Sequence, residues 1–205
     1  IPVVRVPAQA QYNAITNYAN VADYRNVKFT FGAVSYFCQQ EFRNETVWQY
    51  YLTMKPNRFE IVAHAWNHSY IGINSGVDFY NHTNGYHVPL SEQEWLFQDI
   101  VNIWQTIGTE PYALQYMIPS GHSFDDNTTI AGSQAGYHAI LGISKYANLN
   151  LLNGTFTQAI NDIPLITRIN IACSWAELKK TILNRLGKAE PLMLYAHYGD
   201  APNFN

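Results

Sequence analysis

The sequence predicts a single α/β domain built on a mostly parallel sheet. Three observations point there. Apolar runs of strand length alternate with segments of helical spacing along most of the chain. Each strand-to-helix unit spans about 25 to 35 residues, which suits right-handed crossovers between parallel strands. The 205 residues, 47% of them hydrophobic, are enough for one sizeable core. Six or seven such strands either close into a barrel or form an open doubly wound sheet.

The elements follow in order. Pro2 to Val6 reads as a short β run stopped by Pro7. Tyr12 to Tyr24 carries Ile15, Tyr18, Ala19, Val21 and Ala22 at helical spacing. Val27 to Val34 is a strand continuous enough to be buried on both faces. Asn44 to Met54 reads as a helix, with Asn44 as N-cap and a stripe of Val47, Trp48, Tyr51 and Leu52. Arg58 to Ala63 is the next strand and runs into His64-Ala65-Trp66-Asn67-His68. Residues 69–90, rich in Gly, Asn and Tyr, predict a long irregular loop of the kind that often carries function.

Ser91 to Thr106 predicts a helix opened by the capping box Ser91-Glu92-Gln93-Glu94. Tyr112 to Ile118 predicts a strand ended by Pro119-Ser120-Gly121, and Asn127 to Gly136 a short helix. Ala139 to Ser144 and Ile163 to Ile171 predict further strands. Ser174 and Glu177 form a second capping box for a helix reaching Leu186. Pro191 to Ala196 is the last strand, and His197 follows it directly.

Composition narrows the class of function. Charged residues are only 13%, well below the roughly 25% usual for soluble domains. The net charge of -3 argues against nucleic acid as a partner. A weakly charged chain with 15 tyrosines and five tryptophans fits a neutral ligand such as a sugar, or simply a core rich in aromatics. No apolar run is long enough to predict a membrane span. No signal-peptide pattern opens the chain, and Ile1 is expected to be a mature N-terminus or a boundary within a longer chain. Sequons at Asn44, Asn67, Asn81, Asn127 and Asn153 exceed the roughly two that chance gives, which predicts a secreted glycoprotein. Asn67 lies between the two histidines, so its sequon is expected to be silent. Cys38 and Cys173 either pair or remain buried thiols.

No GxGxxG follows the first strand, and there is neither GxxxxGK[ST] nor GxSxG. The chemistry-bearing feature is the histidine pair. If the chain coils into a helical turn at the end of the buried strand, His64 and His68, four residues apart, share one face and can hold one metal ion. They can equally be two polar loop histidines. Ala65 stands where a zincin would carry its glutamate base.

The order of these segments resembles the NodB-type polysaccharide deacetylases, carbohydrate esterase family 4. Phe59-Glu60-Ile61 followed by His64-Ala65-Trp66-Asn67-His68 is similar to that family's strand followed by H-[ST]-x-x-H. The stretch VKFTF at 27–31, Gly108-Thr109-Glu110-Pro111 after the long helix, Ile118-Pro119-Ser120-Gly121 and Leu194-Tyr195-Ala196-His197 fall where the family carries its other motifs. The resemblance implies a distorted (β/α)7 barrel spanning residues 1–205 as one domain. It implies a metal-dependent hydrolase that removes N-acetyl or O-acetyl groups from a polysaccharide such as chitin, peptidoglycan or an exopolysaccharide. His64 and His68 would be ligands to a divalent metal, zinc being expected, and His197 the general acid.

The match departs from the family in three places, one being that its D-x-x-x-W-like segment has no clear match around Tyr146 to Leu152. No acid stands near Val4 to Ala8, where a T-F-D-D-G motif would end the first strand, and Met117 occupies the position of the R-P-P-Y-G arginine. A third metal ligand is normal. Asp78, His82, His87, Asp125 and Asp126 are the candidates, with Asp125 or Asp126 expected rather to cap the following helix. His122 could stand in for the arginine, and His138 reads as structural. A catalytically inactive, carbohydrate-binding descendant of the same fold is the alternative reading.

Overall fold

A computed structural model of the chain describes residues 29–37, 59–72, 76–81, 83–107, 111–142, 159–160, 163–167, 169–170, 179–180, 183 and 194–195. Strands β1 (Phe29–Ala33), β2 (Phe59–His64), β5 (Tyr116–Ile118), β6 (Ala139–Gly142), β7 (Ala159–Ile160) and β8 (Ile163–Thr167) form one sheet in the order β1-β2-β5-β6-β8-β7. Every neighbouring pair is parallel except the β7–β8 hairpin. A two-residue hairpin, β3 (Tyr80–Asn81) with β4 (Tyr86–His87), and a parallel pair, β9 (Ile169–Asn170) with β10 (Leu194–Tyr195), stand outside it. Two longer helices, α1 (Leu90–Ile107) and α2 (Asp126–Gln134), complete the frame. This is the α/β architecture with a parallel sheet that the alternating pattern predicts. The expected first strand and the helices at 12–24 and 44–54 lie outside the described residues, as do Cys38, Cys173, His82 and His197.

The alternation of the pleat divides the apolar run of β2 between two cores. Ile61 and Ala63 join Met117 and Ile140 against α1 and α2, with Leu96, Phe97, Ile100 and Trp104 packed on them. Val62 faces the other way and joins Ile118, Ala139 and Leu141. Phe79 stacks on Phe97 at 5.1 Å, and Tyr137 meets Phe97 edge-on at 5.4 Å. The strand register explains Met117. It pairs with Ala63, so its side chain is fully buried in the core beneath the helices. His64 pairs with Ile118, one residue on, and belongs to the opposite face.

Three local expectations change. Helix α1 begins at Leu90, so Ser91 lies within its first turn; the N–H of Gln93 already reaches the carbonyl of Pro89. The segment expected as a strand from Tyr112 starts as a 3-10 turn over Pro111–Leu114, leaving only Tyr116–Ile118 extended. Residues 69–90 contain the β3–β4 hairpin, and Val88 N–H bonds the carbonyl of Phe79 to close it. Lys179, Lys180 and Leu183 are helical, within the segment where the last helix is expected. Among the described residues no helix is long and apolar enough to cross a membrane.

Candidate active site

The loop after β2 turns sharply. Ala65 at φ 53° and His68 at φ 68° both lie in the left-handed region. For a residue with a Cβ this conformation costs about 1–2 kcal/mol, so it persists only where the surroundings over-determine it. Asp78 supplies that. It is fully buried, and its Oδ2 accepts the backbone N–H groups of Trp66 (2.9 Å), Asn67 (3.1 Å) and His68 (3.0 Å). Its Oδ1 accepts the N–H of Tyr70 at 2.9 Å. One carboxylate thus gathers four amides of a single turn.

The other side of the loop is tied to the turn that follows β1. Ser35, also fully buried, donates its hydroxyl to the carbonyl of Ala65 at 2.7 Å and accepts the indole N–H of Trp104 at 3.0 Å. Tyr36 N–H donates to the carbonyl of Trp66 at 2.9 Å. The Trp66 indole donates to Asp99 on α1 at 2.8 Å. Gly32 of β1 leaves room beside the histidine, because a Cβ there would stand 2.8 Å from Ile118 Cδ1 and 3.3 Å from His64 Cβ.

These supports bring the two histidines together. The rings of His64 and His68, both half-buried, meet at right angles, and their Nε2 atoms are 3.2 Å apart. His64 Nδ1 lies 3.1 Å from the carbonyl oxygen of Ile118. A carbonyl can only accept, so Nδ1 carries the proton, and Nε2 of the neutral ring presents its lone pair to His68. A ring whose other nitrogen donates to a backbone carbonyl is the usual state of a metal-ligating histidine. Two nitrogens on a tetrahedral zinc, each at about 2.0–2.1 Å, stand about 3.3 Å apart. The observed separation fits two ligands of such an ion. With a proton on His68 Nε2, the same contact is an N–H···N hydrogen bond.

Each described candidate for a third ligand has other partners or lies exposed. Asp78 spends both oxygens on backbone amides, so its role is to shape the loop. Asp125 is the N-cap of α2, where its side chain takes the N–H of Thr128 at 2.9 Å in a reciprocal capping box. It also receives Gln93 Nε2 at 3.1 Å and the Nδ1–H of His87 at 2.7 Å. Asp126 is exposed in the first turn of α2. His138 is exposed ahead of β6, its ring edge-on to Tyr116. Among the described residues no group of three or more His, Cys, Asp or Glu side chains converges on one point. Asn67, in the sequon between the histidines, turns its side-chain oxygen onto the N–H of Ser69 at 2.8 Å.

Sequence reasoning passes over Ser35 and Asp99 and offers Asp78 only as a candidate ligand, not as the anchor of the loop. The one available signal is Val77-Asp78-Phe79, a lone acid between two large apolar residues, which must find donors if it is buried.

No protein-family model matches this sequence, and no curated protein matches it. Solved structures do. A protein assigned as a polysaccharide deacetylase from Mycobacterium smegmatis superposes with a TM-score of 0.62 at 13% identity, over 94% of this chain and 67% of its own. A de-N-acetylase from Aggregatibacter actinomycetemcomitans gives 0.52 at 15% identity, over 83% and 70%. A 4-alpha-glucanotransferase from Thermococcus litoralis gives 0.55 at 9% identity, over 96% of this chain but 31% of that one. This chain therefore has the fold of the polysaccharide deacetylases.

Proposed function

We propose that the protein is a divergent, metal-dependent polysaccharide deacetylase. The observation that carries the reading is the pair of histidine Nε2 atoms 3.2 Å apart, with His64 locked by the carbonyl of Ile118. This pair stands at the C-terminal edge of a parallel sheet, where chemistry in α/β folds concentrates. The two deacetylase neighbours in fold support the same reaction class. The sheet would then be part of the distorted (β/α)7 barrel.

His64 and His68 would hold the ion through Nε2, and zinc suits two imidazoles. When bound, a divalent ion supplies Lewis-acid polarisation of the acyl carbonyl. The chain's own part is orientation. Ile118 fixes the tautomer of His64, and Asp78 fixes the backbone from which His68 projects. His197, in the sequence position that ends the last strand, would give a proton to the leaving amine or alcohol. The third ligand and the general base would come from residues other than Asp78 and Asp125. The substrate would be an acetylated glycan, and the excess of sequons supports a secreted glycoprotein.

Metal content of the purified protein, with acetate release from acetylated chitooligosaccharides and acetylated glucan, tests this. Stoichiometric zinc and acetate release are expected, both lost in His64→Ala. Wild-type protein that binds no metal and frees no acetate from any of these glycans would overturn the reading. Glycan binding without metal or acetate release would favour the inactive carbohydrate-binding alternative.

A further inference from the structure

The helix α1 carries a stripe that the core does not use. Glu92, Trp95, Asp99 and Asn102 recur at intervals of three, four and three residues, so they share one flank of the helix. The buried residues Gln93, Leu96, Phe97, Ile100, Ile103 and Trp104 occupy the neighbouring face. Trp95 is 52% exposed, one of three large hydrophobic side chains so exposed among the described residues.

The ring of Trp95 is held in place by aromatic neighbours from the histidine loop. Trp66, between His64 and His68, meets it at 5.6 Å, and Tyr70 at 6.5 Å. Trp66 and Tyr70 are themselves 5.6 Å apart, edge to face. Both are pinned to the stripe, the Trp66 indole on Asp99 at 2.8 Å and the Tyr70 hydroxyl on Glu92 at 2.9 Å. The result is a three-ring platform, two of its rings on the loop that carries the histidine pair, framed by hydrogen-bonding side chains.

That combination selects the occupant. A protein partner needs roughly 800 Å² on each side, with an apolar centre. Here the surroundings of Trp95 are polar: Ser91, Glu92, Gln98 and Asn102 are all exposed. A sugar ring has the matching chemistry, an apolar C–H face for the indole and an equatorial rim of hydroxyls for the carboxylates and amides. The carboxylates Glu92, Glu94 and Asp99 add a sign to the selection. A uronate or sulfated sugar would meet like charge, whereas a neutral or amine-bearing sugar would not.

We propose that Trp95, with Trp66 and Tyr70, is a stacking subsite for a neutral or amino-sugar unit of the glycan, and that the flanking acids exclude anionic polysaccharides. This rests on the deacetylase reading and adds to it. The enzyme would hold a further sugar unit of the same glycan, and would accept chains already carrying freed amines.

The test measures binding of chitohexaose, of its fully deacetylated hexamer and of an oligogalacturonate, by tryptophan fluorescence and calorimetry on the full chain. Trp95→Ala should weaken both hexosamine oligomers about tenfold, with Trp95→Phe close to wild type. Glu92→Gln should weaken the deacetylated oligomer more than the acetylated one. Trp95 is exposed, so these variants should fold, and zinc content should be unchanged. Equal binding by Trp95→Ala, tighter binding of the oligogalacturonate, no binding of any glycan by the wild type, or a Trp95-dependent dimer would each overturn the subsite. Metal content and acetate release are read separately, so loss of the subsite leaves the deacetylase reading standing, and the reverse.

Discussion

Asp78 is where a small change should have the largest legible effect. Its carboxylate collects four backbone N–H groups from the turn that carries His68. Asp78→Asn keeps one acceptor oxygen. The best orientation leaves that oxygen beneath Trp66, Asn67 and His68 and turns the new NH2 against the N–H of Tyr70. One bond to a charged acceptor is lost and three are weakened, which amounts to about 2–3 kcal/mol. Asp78→Ala removes all four; at about 1 kcal/mol net for each, with water reaching the half-buried loop, the cost is about 4 kcal/mol. Either loss is survivable against a typical stability of about 5–15 kcal/mol. Urea unfolding reads the cost, and hydrogen exchange reads the amides of 66, 67, 68 and 70 one by one. Those amides should lose protection in the order wild type, Asn, Ala. If the histidine pair holds zinc as proposed, its zinc affinity should fall about 10- to 100-fold, as for other residues that orient a metal ligand. Unchanged exchange at His68, or an Asp78→Ala protein within 0.5 kcal/mol of wild type, would refute the idea that this carboxylate fixes the loop.

Two further outcomes follow from single residues. Gly121 has φ 56°, and a Cβ there would stand 2.7 Å from Val77 Cγ1 and 3.0 Å from the carbonyl oxygen of Gly76. The methyl can shift but the backbone oxygen resists, so Gly121→Ala should cost about 2–3 kcal/mol, seen as a lower urea midpoint at constant slope; an unmoved midpoint would contradict this. Burial pushes the phenol of Tyr137 well above its ordinary 10.0, and its hydroxyl donates to the carbonyl of Ala113 at 3.2 Å. The native state keeps this proton above pH 10 while the unfolded chain releases it, so stability is intact below pH 10 and falls above it, by at most about 1.4 kcal/mol per pH unit. Tyr137→Phe should cost about 1 kcal/mol at neutral pH, and the gap should close as the pH passes 10; a gap that stays constant up to pH 11 would count against it.

The sequence by itself determined the α/β alternation, because strand and helix periodicities are local and survive without knowledge of what packs against them. Helix α1, the strand leading into His64 and the cap at Asp125 were legible for that reason. The histidine pair was legible as a spacing. What only the tertiary structure decided is what each polar group meets. Asp78 sits ten residues from His68, and nothing in that interval says that its carboxylate will fold back under four amides. Ser35, thirty residues before Ala65, reaches it only because β1 and β2 pair in parallel register. Register also set the faces, sending Met117 into the core and His64 onto the carbonyl of Ile118 across a one-residue offset. In a pleated sheet that offset reverses a side chain, and strand pairing, which the sequence does not print, fixes it.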